Sequence, residues 1–356
     1  MAPDRLRALA TLARWLGPWT PETARPRGVQ RRRIVVEGER TFDAWAYRGR
    51  RDPVGALLVV PGLHYLGPAD PRLDRFLAIL AEAGLLVLCP FLPEFRALRV
   101  GPSLVPDAMR AFEALCALPD RPRGTRPGVL SISFGSYPAV HVASRADVGG
   151  LLLFGGYASF EDAIRFSLEG DPERPHDPLN RPVVFLNALE HLPGLPEDRE
   201  PLRRAWITFV RRTWGRPEMK QRAAHEPVAR AIAARLPPAL REVFLLGTGV
   251  EPGGAELVRA ALERGRASFA HLDPRPACAA IRAPVTIVHG RDDDVIPHTH
   301  ARMLAEAMPA AARARVWLTG LYAHTGHAVL AARALAAEGR ALAGILEALV
   351  ETAGVG

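Results

Sequence analysis

At 356 residues, 48% hydrophobic and 24% charged, the chain can bury one large core or two modest ones and is neither disordered nor fibrous. A formal charge of +8 and an isoelectric point of ≈ 10.2 raise nucleic acid as a partner, but the arginines are spread among acidic residues and no binding motif accompanies them. Three widely separated cysteines, Cys89, Cys116 and Cys278, speak against a disulfide framework or a CxxC metal site and for a reducing compartment.

Asp4, Arg5, Arg7 and Arg14 interrupt the apolar core that a signal peptide needs, and no window offers 18 uncharged apolar residues. A cytoplasmic protein without an integral membrane segment is expected. Residues 4–16 fit an amphipathic helix with Leu9, Leu12 and Leu16 on one face, a stripe better suited to packing on its own chain than to a membrane surface. Strand signals follow over Arg33 to Glu37 and over Thr41 to Tyr47, where Phe42, Ala44 and Ala46 alternate. Ala56-Leu57-Leu58-Val59-Val60 is apolar on both faces, as a buried parallel strand must be.

From there strands and helices alternate. Helices fit Arg72 to Ala83, Pro106 to Leu118 and Ser136 to Ser144; strands fit Leu85 to Leu88, Val129 to Ile132 and Leu151 to Phe154. This repetition predicts an α/β fold with a mostly parallel sheet covered on both faces. Residues 156 to about 275 break it with helical periodicity alone. One helix there places Trp206, Phe209, Val210 and Trp214 on a common face. The alternation resumes with a strand at Pro284 to Val288, a helix at Thr299 to Ala307, a strand at Arg315 to Thr319 and a helix over Ala328 to Leu349. The expected organisation is a helical extension over 1–30, an α/β core over 31–155 and 276–356, and a helical insertion over 156–275.

Three segments carry chemistry, each just past a predicted strand. Ser131-Ile132-Ser133-Phe134-Gly135 is a G-x-S-x-G pattern with serine in first place, which would put Ser133 on a sharp turn above the sheet. Taken alone, the pentapeptide fits an ordinary strand–helix turn equally well. Gly290-Arg291-Asp292-Asp293-Asp294-Val295-Ile296-Pro297 offers carboxylates at the end of a strand, where open α/β sheets bind ligands, or else a solvated loop. Leu321-Tyr322-Ala323-His324-Thr325-Gly326-His327 offers two histidines, either of which can be a base. His298 and His300 lack a third ligand at metal spacing and read as a helix start. No phosphate loop or dinucleotide fingerprint occurs, so neither a cofactor nor a metal is expected.

The order Ser, Asp, His is the chain order of α/β-hydrolases. Outside the helical insertion, the chain resembles that superfamily over nearly its whole length. Asp293 stands three residues after Gly290 and four before Pro297, as the family's acid does in its G-x-x-D-x-x-x-P segment. Matching Trp317-Leu318-Thr319-Gly320 to the family's last strand puts His324 on the base, with His327 as second choice and as the start of the final helix. Pro61-Gly62-Leu63 replaces the family's His-Gly-x, and the insertion falls where the family carries its cap.

The resemblance implies a serine hydrolase acting on a small acyl substrate. Ser133 is then the nucleophile, Asp293 the acid and His324 the base. The backbone N–H groups of Phe134 and Leu63 form the oxyanion hole, and His64 is placed for substrate contact. Acyl transfer through the same triad is the alternative enzymatic reading, and a non-catalytic binding protein on the same fold the alternative class. Branches that open epoxides or remove halides are disfavoured, since they need a carboxylate where Ser133 stands.

Overall fold

The computed structural model describes residues 3–17, 19–21, 23–171, 176–320, 322–323, 326–327 and 335–355. Eight strands form one sheet: β1 (Gln30–Val36), β2 (Phe42–Arg48), β3 (Gly55–Val60), β4 (Leu85–Pro90), β5 (Gly128–Ile132), β6 (Leu151–Phe154), β7 (Val285–Gly290) and β8 (Arg315–Thr319). They lie in the order β1-β2-β4-β3-β5-β6-β7-β8. β1 and β2 pair antiparallel, β2 pairs antiparallel with β4, and every pair from β4 to β8 is parallel. The mostly parallel α/β sheet expected from the alternation is therefore present.

The period of two explains how one apolar run serves two cores. Ala56, Leu58 and Val60 of β3 face one, closed by helices Leu104–Ala117 and Ser136–Arg145. Leu57 and Val59 face the other, closed by helices Pro71–Glu82 and Leu335–Thr352 and by the N-terminal helix Pro3–Leu16. Ala8 and Leu12 of that first helix are buried on the protein, with Leu9 and Leu16 half-buried beside them, so the apolar stripe packs on its own chain. Arg5 Nη2 ties it to Glu351 Oε1 at 3.0 Å. Among the described residues, no helix is long and apolar enough to cross a membrane.

Edge strand β1 accounts for part of the positive charge. Arg31, Arg32 and Arg33 pair with Asp74 (3.0 Å), Asp120 (2.9 Å) and Asp43 (2.8 Å), and charged side chains of this kind on an edge strand disfavour further strand pairing.

Between β6 and β7 the described residues form helices and no strand, the longest being Glu200–Thr213. Trp206, Phe209 and Val210 are buried in this helix, as the stripe requires. Trp214 departs from the expectation. The helix ends at Thr213, and Trp214 turns to extended backbone (φ −65, ψ 145), its ring half-buried against the same core and its Nε1 donating to the Leu179 carbonyl at 2.9 Å. His327 departs too: it lies in a two-stranded pair, opposite Tyr322, with Gly326 opposite Ala323, and does not open the final helix. Backbone pairing of β9 (Tyr322–Ala323) with β10 (Gly326–His327) has won there over helical continuation. That helix is described from Leu335.

Candidate active site

Ser133 follows β5 directly and opens a 3-10 turn, Ser133–Gly135, that runs into helix Ser136–Arg145. Its φ is 53, left-handed backbone that a side chain bearing Cβ avoids. Such a conformation costs about 1–3 kcal/mol and persists only where the surroundings enforce it. Here they do. A Cβ on Gly135 would lie 2.6 Å from the Pro61 carbonyl oxygen and 2.7 Å from that of Val60, so only glycine lets the turn close against the end of β3. On the other side, a Cβ on Gly62 would sit 3.4 Å from Ser133 Cβ. The Pro61-Gly62-Leu63 loop thus abuts the serine, which brings the segments bearing the Leu63 and Phe134 N–H groups to one place. Ser133 is 4% exposed.

Asp293 lies past the end of β7, 4% exposed. Its Oδ1 accepts N–H bonds from Val295 (2.9 Å) and Ile296 (2.8 Å), which fix the carboxylate in place. Its neighbours in sequence are otherwise engaged. Asp292 is exposed, and Asp294 Oδ2 is held by Lys220 Nζ at 2.6 Å. Glu161 and Asp162, after β6, are also exposed, and Glu161 pairs with Arg165 at 2.7 Å. His324 lies outside the described residues. For His327 the described feature is its backbone pairing with Tyr322.

Three groups around Asp293 were not apparent in the sequence. His289 is fully buried in β7; its Nε2 lies 3.3 Å from Asp293 Oδ2 and 2.9 Å from the Ile296 carbonyl oxygen. Facing two acceptors, Nε2 carries the hydrogen, and Nδ1 has no hydrogen-bond partner among the described residues. The i,i+4 spacing from Asp293 was the available signal, but within an apolar strand it reads as core. His300 accepts N–H bonds from Ala158 (3.0 Å) on Nδ1; burial, with His289 beside it, pulls its pKa down to about 4. Lys220, the only lysine, joins Asp294 to Asp177 (3.0 Å), and the Asp177 N–H donates to the Asp294 carbonyl at 2.9 Å. Burial disfavours the Lys220 ammonium, but the Asp294 hydrogen bond and the Asp177 charge outweigh it and raise its pKa.

His64 has both nitrogens engaged within the protein. Nδ1 accepts from the Leu66 N–H at 3.2 Å, and Nε2 lies 3.5 Å from Asp70 Oδ2. Burial lowers its pKa despite the Asp70 charge. Its ring stacks on Tyr65 (4.6 Å) and on Trp214 (5.5 Å). Next to Ser133 in the chain, the half-buried Phe134 ring lies 5.1 Å from Tyr157, and Phe160 stacks on Phe269 at 5.8 Å. Two aromatic groups therefore link the strand ends to the helical segment, one beginning at the loop after β3 and one at the turn after β5. Among the described residues, no group of three or more His, Cys, Asp or Glu side chains is placed to hold a metal ion.

No protein-family model matches the chain, and no curated protein matches it in sequence. Solved structures do. It is similar to an acylaminoacyl peptidase of Pyrococcus horikoshii (12% identity, TM-score 0.50), matching over 90% of this chain and 40% of that one. A puromycin-hydrolysing peptidase of Mycobacterium tuberculosis is similar at 15% identity and TM-score 0.50, over 92% and 40% of the respective chains. An esterase of Pyrococcus furiosus is similar at 12% identity and TM-score 0.50, over 95% of both chains. The chain thus spans less than half the length of the two peptidases and nearly all of the esterase. With the strand order above, these likenesses establish the α/β-hydrolase fold.

Proposed function

We propose that this protein is a serine hydrolase that cleaves a carboxylic ester or a related acyl bond through an acyl-enzyme on Ser133. The observation that carries the reading is the left-handed backbone of Ser133, in a turn that closes through Gly135 against the Val60 and Pro61 carbonyls at the end of a central strand. A strained serine at such a turn has its hydroxyl aimed away from the sheet, as a nucleophile needs.

In this reading His324 takes the Ser133 proton as Oγ attacks the acyl carbon. The oxyanion accepts hydrogen bonds from the Phe134 and Leu63 N–H groups, each worth about 3 kcal/mol of barrier. His324 then protonates the leaving alcohol, and water attacks the acyl-enzyme by the same relay in reverse. Asp293, its Oδ1 held by two N–H groups, orients the imidazole and stabilises its charged form. Residues 156–275 serve as the cap. Trp214, stacked on His64, would form one wall of the acyl pocket and Phe134 with Phe160 the other.

The test is hydrolysis of a short p-nitrophenyl ester, with the matching anilide in parallel. Turnover of the ester, faster than of the anilide and lost in Ser133→Ala without loss of fold, is the expected outcome. Ester turnover that survives in Ser133→Ala contradicts the proposal.

A further inference from the structure

A buried carboxylate joins the ends of β7 and β8 to the last helix. Glu338, in the first turn of helix Leu335–Thr352, is 3% exposed. Both of its oxygens are used. Oε1 accepts from the Gly320 N–H (3.0 Å) and from Arg291 Nη1 (3.1 Å), while Oε2 accepts from Thr319 Oγ1 (2.7 Å). Arg291 closes the arrangement. Its Nη2 donates to the Leu318 carbonyl at 3.0 Å, and its backbone N–H donates to the Thr319 carbonyl at 2.8 Å. One acidic side chain thus fastens the exits of β7 and β8, paired at Gly290 and Thr319, to the last helix.

What leaves those exits gives the arrangement its meaning. From Arg291 the chain reaches Asp293 in two residues, and from Gly320 it reaches His324 in four. We infer that Glu338 is a positioning residue for catalysis: it sets the acid-bearing and base-bearing segments in register through Arg291, Thr319 and Gly320, without touching substrate. This rests on the assignment of Asp293 and His324 above.

Two physical points favour positioning over simple packing. The Arg291 side chain is 46% exposed, and an ion pair open to solvent on one side adds little stability, so a buried carboxylate with both oxygens satisfied is better explained by the geometry it fixes. Catalysis is steeply sensitive to that geometry, because displacing a reacting group by about 1 Å can cost about 100-fold in rate.

The experiment compares Glu338→Gln, Glu338→Ala and Thr319→Val with Asp107→Asn. Asp107 is also buried and paired with an arginine, Arg40, but on the opposite side of the sheet, beside β1. Fluorophosphonate labelling, kcat and KM on p-nitrophenyl acetate, the pH profile of kcat/KM and the melting temperature are measured for each. Wild type should label on Ser133. Glu338→Ala should lose about 10- to 100-fold in kcat with KM changed less than about threefold, Gln and Thr319→Val losing less. The acid limb of the pH profile should move in the Glu338 variants alone. Asp107→Asn should melt earlier with kcat kept. Should Glu338→Ala fail to fold, the volume-conserving Gln and Val variants carry the comparison. A labelled wild type whose Glu338 and Thr319 variants lose no more kcat than Asp107→Asn overturns the positioning role and leaves the triad standing. A wild type that neither labels nor turns over overturns both.

Discussion

The two halves of the candidate site are held by different physics. At the centre of the sheet, the Ser133 turn is fixed by sterics: a positive φ, and Gly135 closing against the Pro61 and Val60 carbonyls, which leave no room for a side chain there. At the β7–β8 side, Asp293 is fixed by polar groups: two N–H bonds, His289 behind it, Lys220 on its neighbour and Glu338 under its strand. Steric fixation tolerates no change of shape. Polar fixation is distributed, so its members should fail one at a time and by degrees.

The largest expected effects fall on the steric half and on the base. Ser133→Ala should lose about 10⁴-fold or more in kcat on a p-nitrophenyl ester with its melting temperature preserved. Gly135→Ala should lose both activity and stability, because the new methyl meets backbone oxygens and no movable side chain; an active, stable Gly135→Ala would break the steric account. His324→Ala should cost about 10⁴-fold in kcat and His327→Ala far less, and the reverse ranking on one ester would move the base to His327.

Effects on the polar half should be smaller. Lys220→Met removes the link between Asp177 and Asp294 and should lower unfolding stability by about 2 kcal/mol in urea titration, since hydrogen bonds to charged groups carry energies of that order. Unchanged stability would mean that the helical segment is held without it.

The smallest effect concerns pH. His300 is held neutral by burial, its pKa pulled down from 6.5 to about 4, and His141 is pulled down equally. The unfolded chain therefore binds more protons across that interval. Stability is complete above about pH 6.5 and falls as pH drops toward 4. His300→Gln should reduce the difference in melting temperature between pH 7 and pH 5; an undiminished difference would remove His300 from the account.

The same contrast governs what could be read in the sequence. The strand–turn–helix junction at Ser133 was legible because its constraint is local, a small-residue pentapeptide between an apolar run and a helix. The place of Asp293 past the end of a strand was legible from the apolar run before Gly290, and the sheet from its alternating periods. Glu338 was not: it meets Arg291 across 47 positions, and a single glutamate early in a helix looks solvated. Lys220 meets Asp294 across 74. Trp214 was misplaced because periodicity continued one residue beyond the point where the helix stops. His327, three residues beyond His324, reads as the start of the final helix, whereas the backbone pairs it with Tyr322.

The central claim is that Ser133 carries the acyl group. Its most direct test is to quench the reaction with a slowly deacylating p-nitrophenyl ester, digest the protein and map the adduct by mass spectrometry. The account predicts a burst of p-nitrophenol and an acyl group on the peptide bearing Ser133, both missing from Ser133→Ala. An acyl group on any other residue, or steady turnover with no covalent adduct, would contradict it.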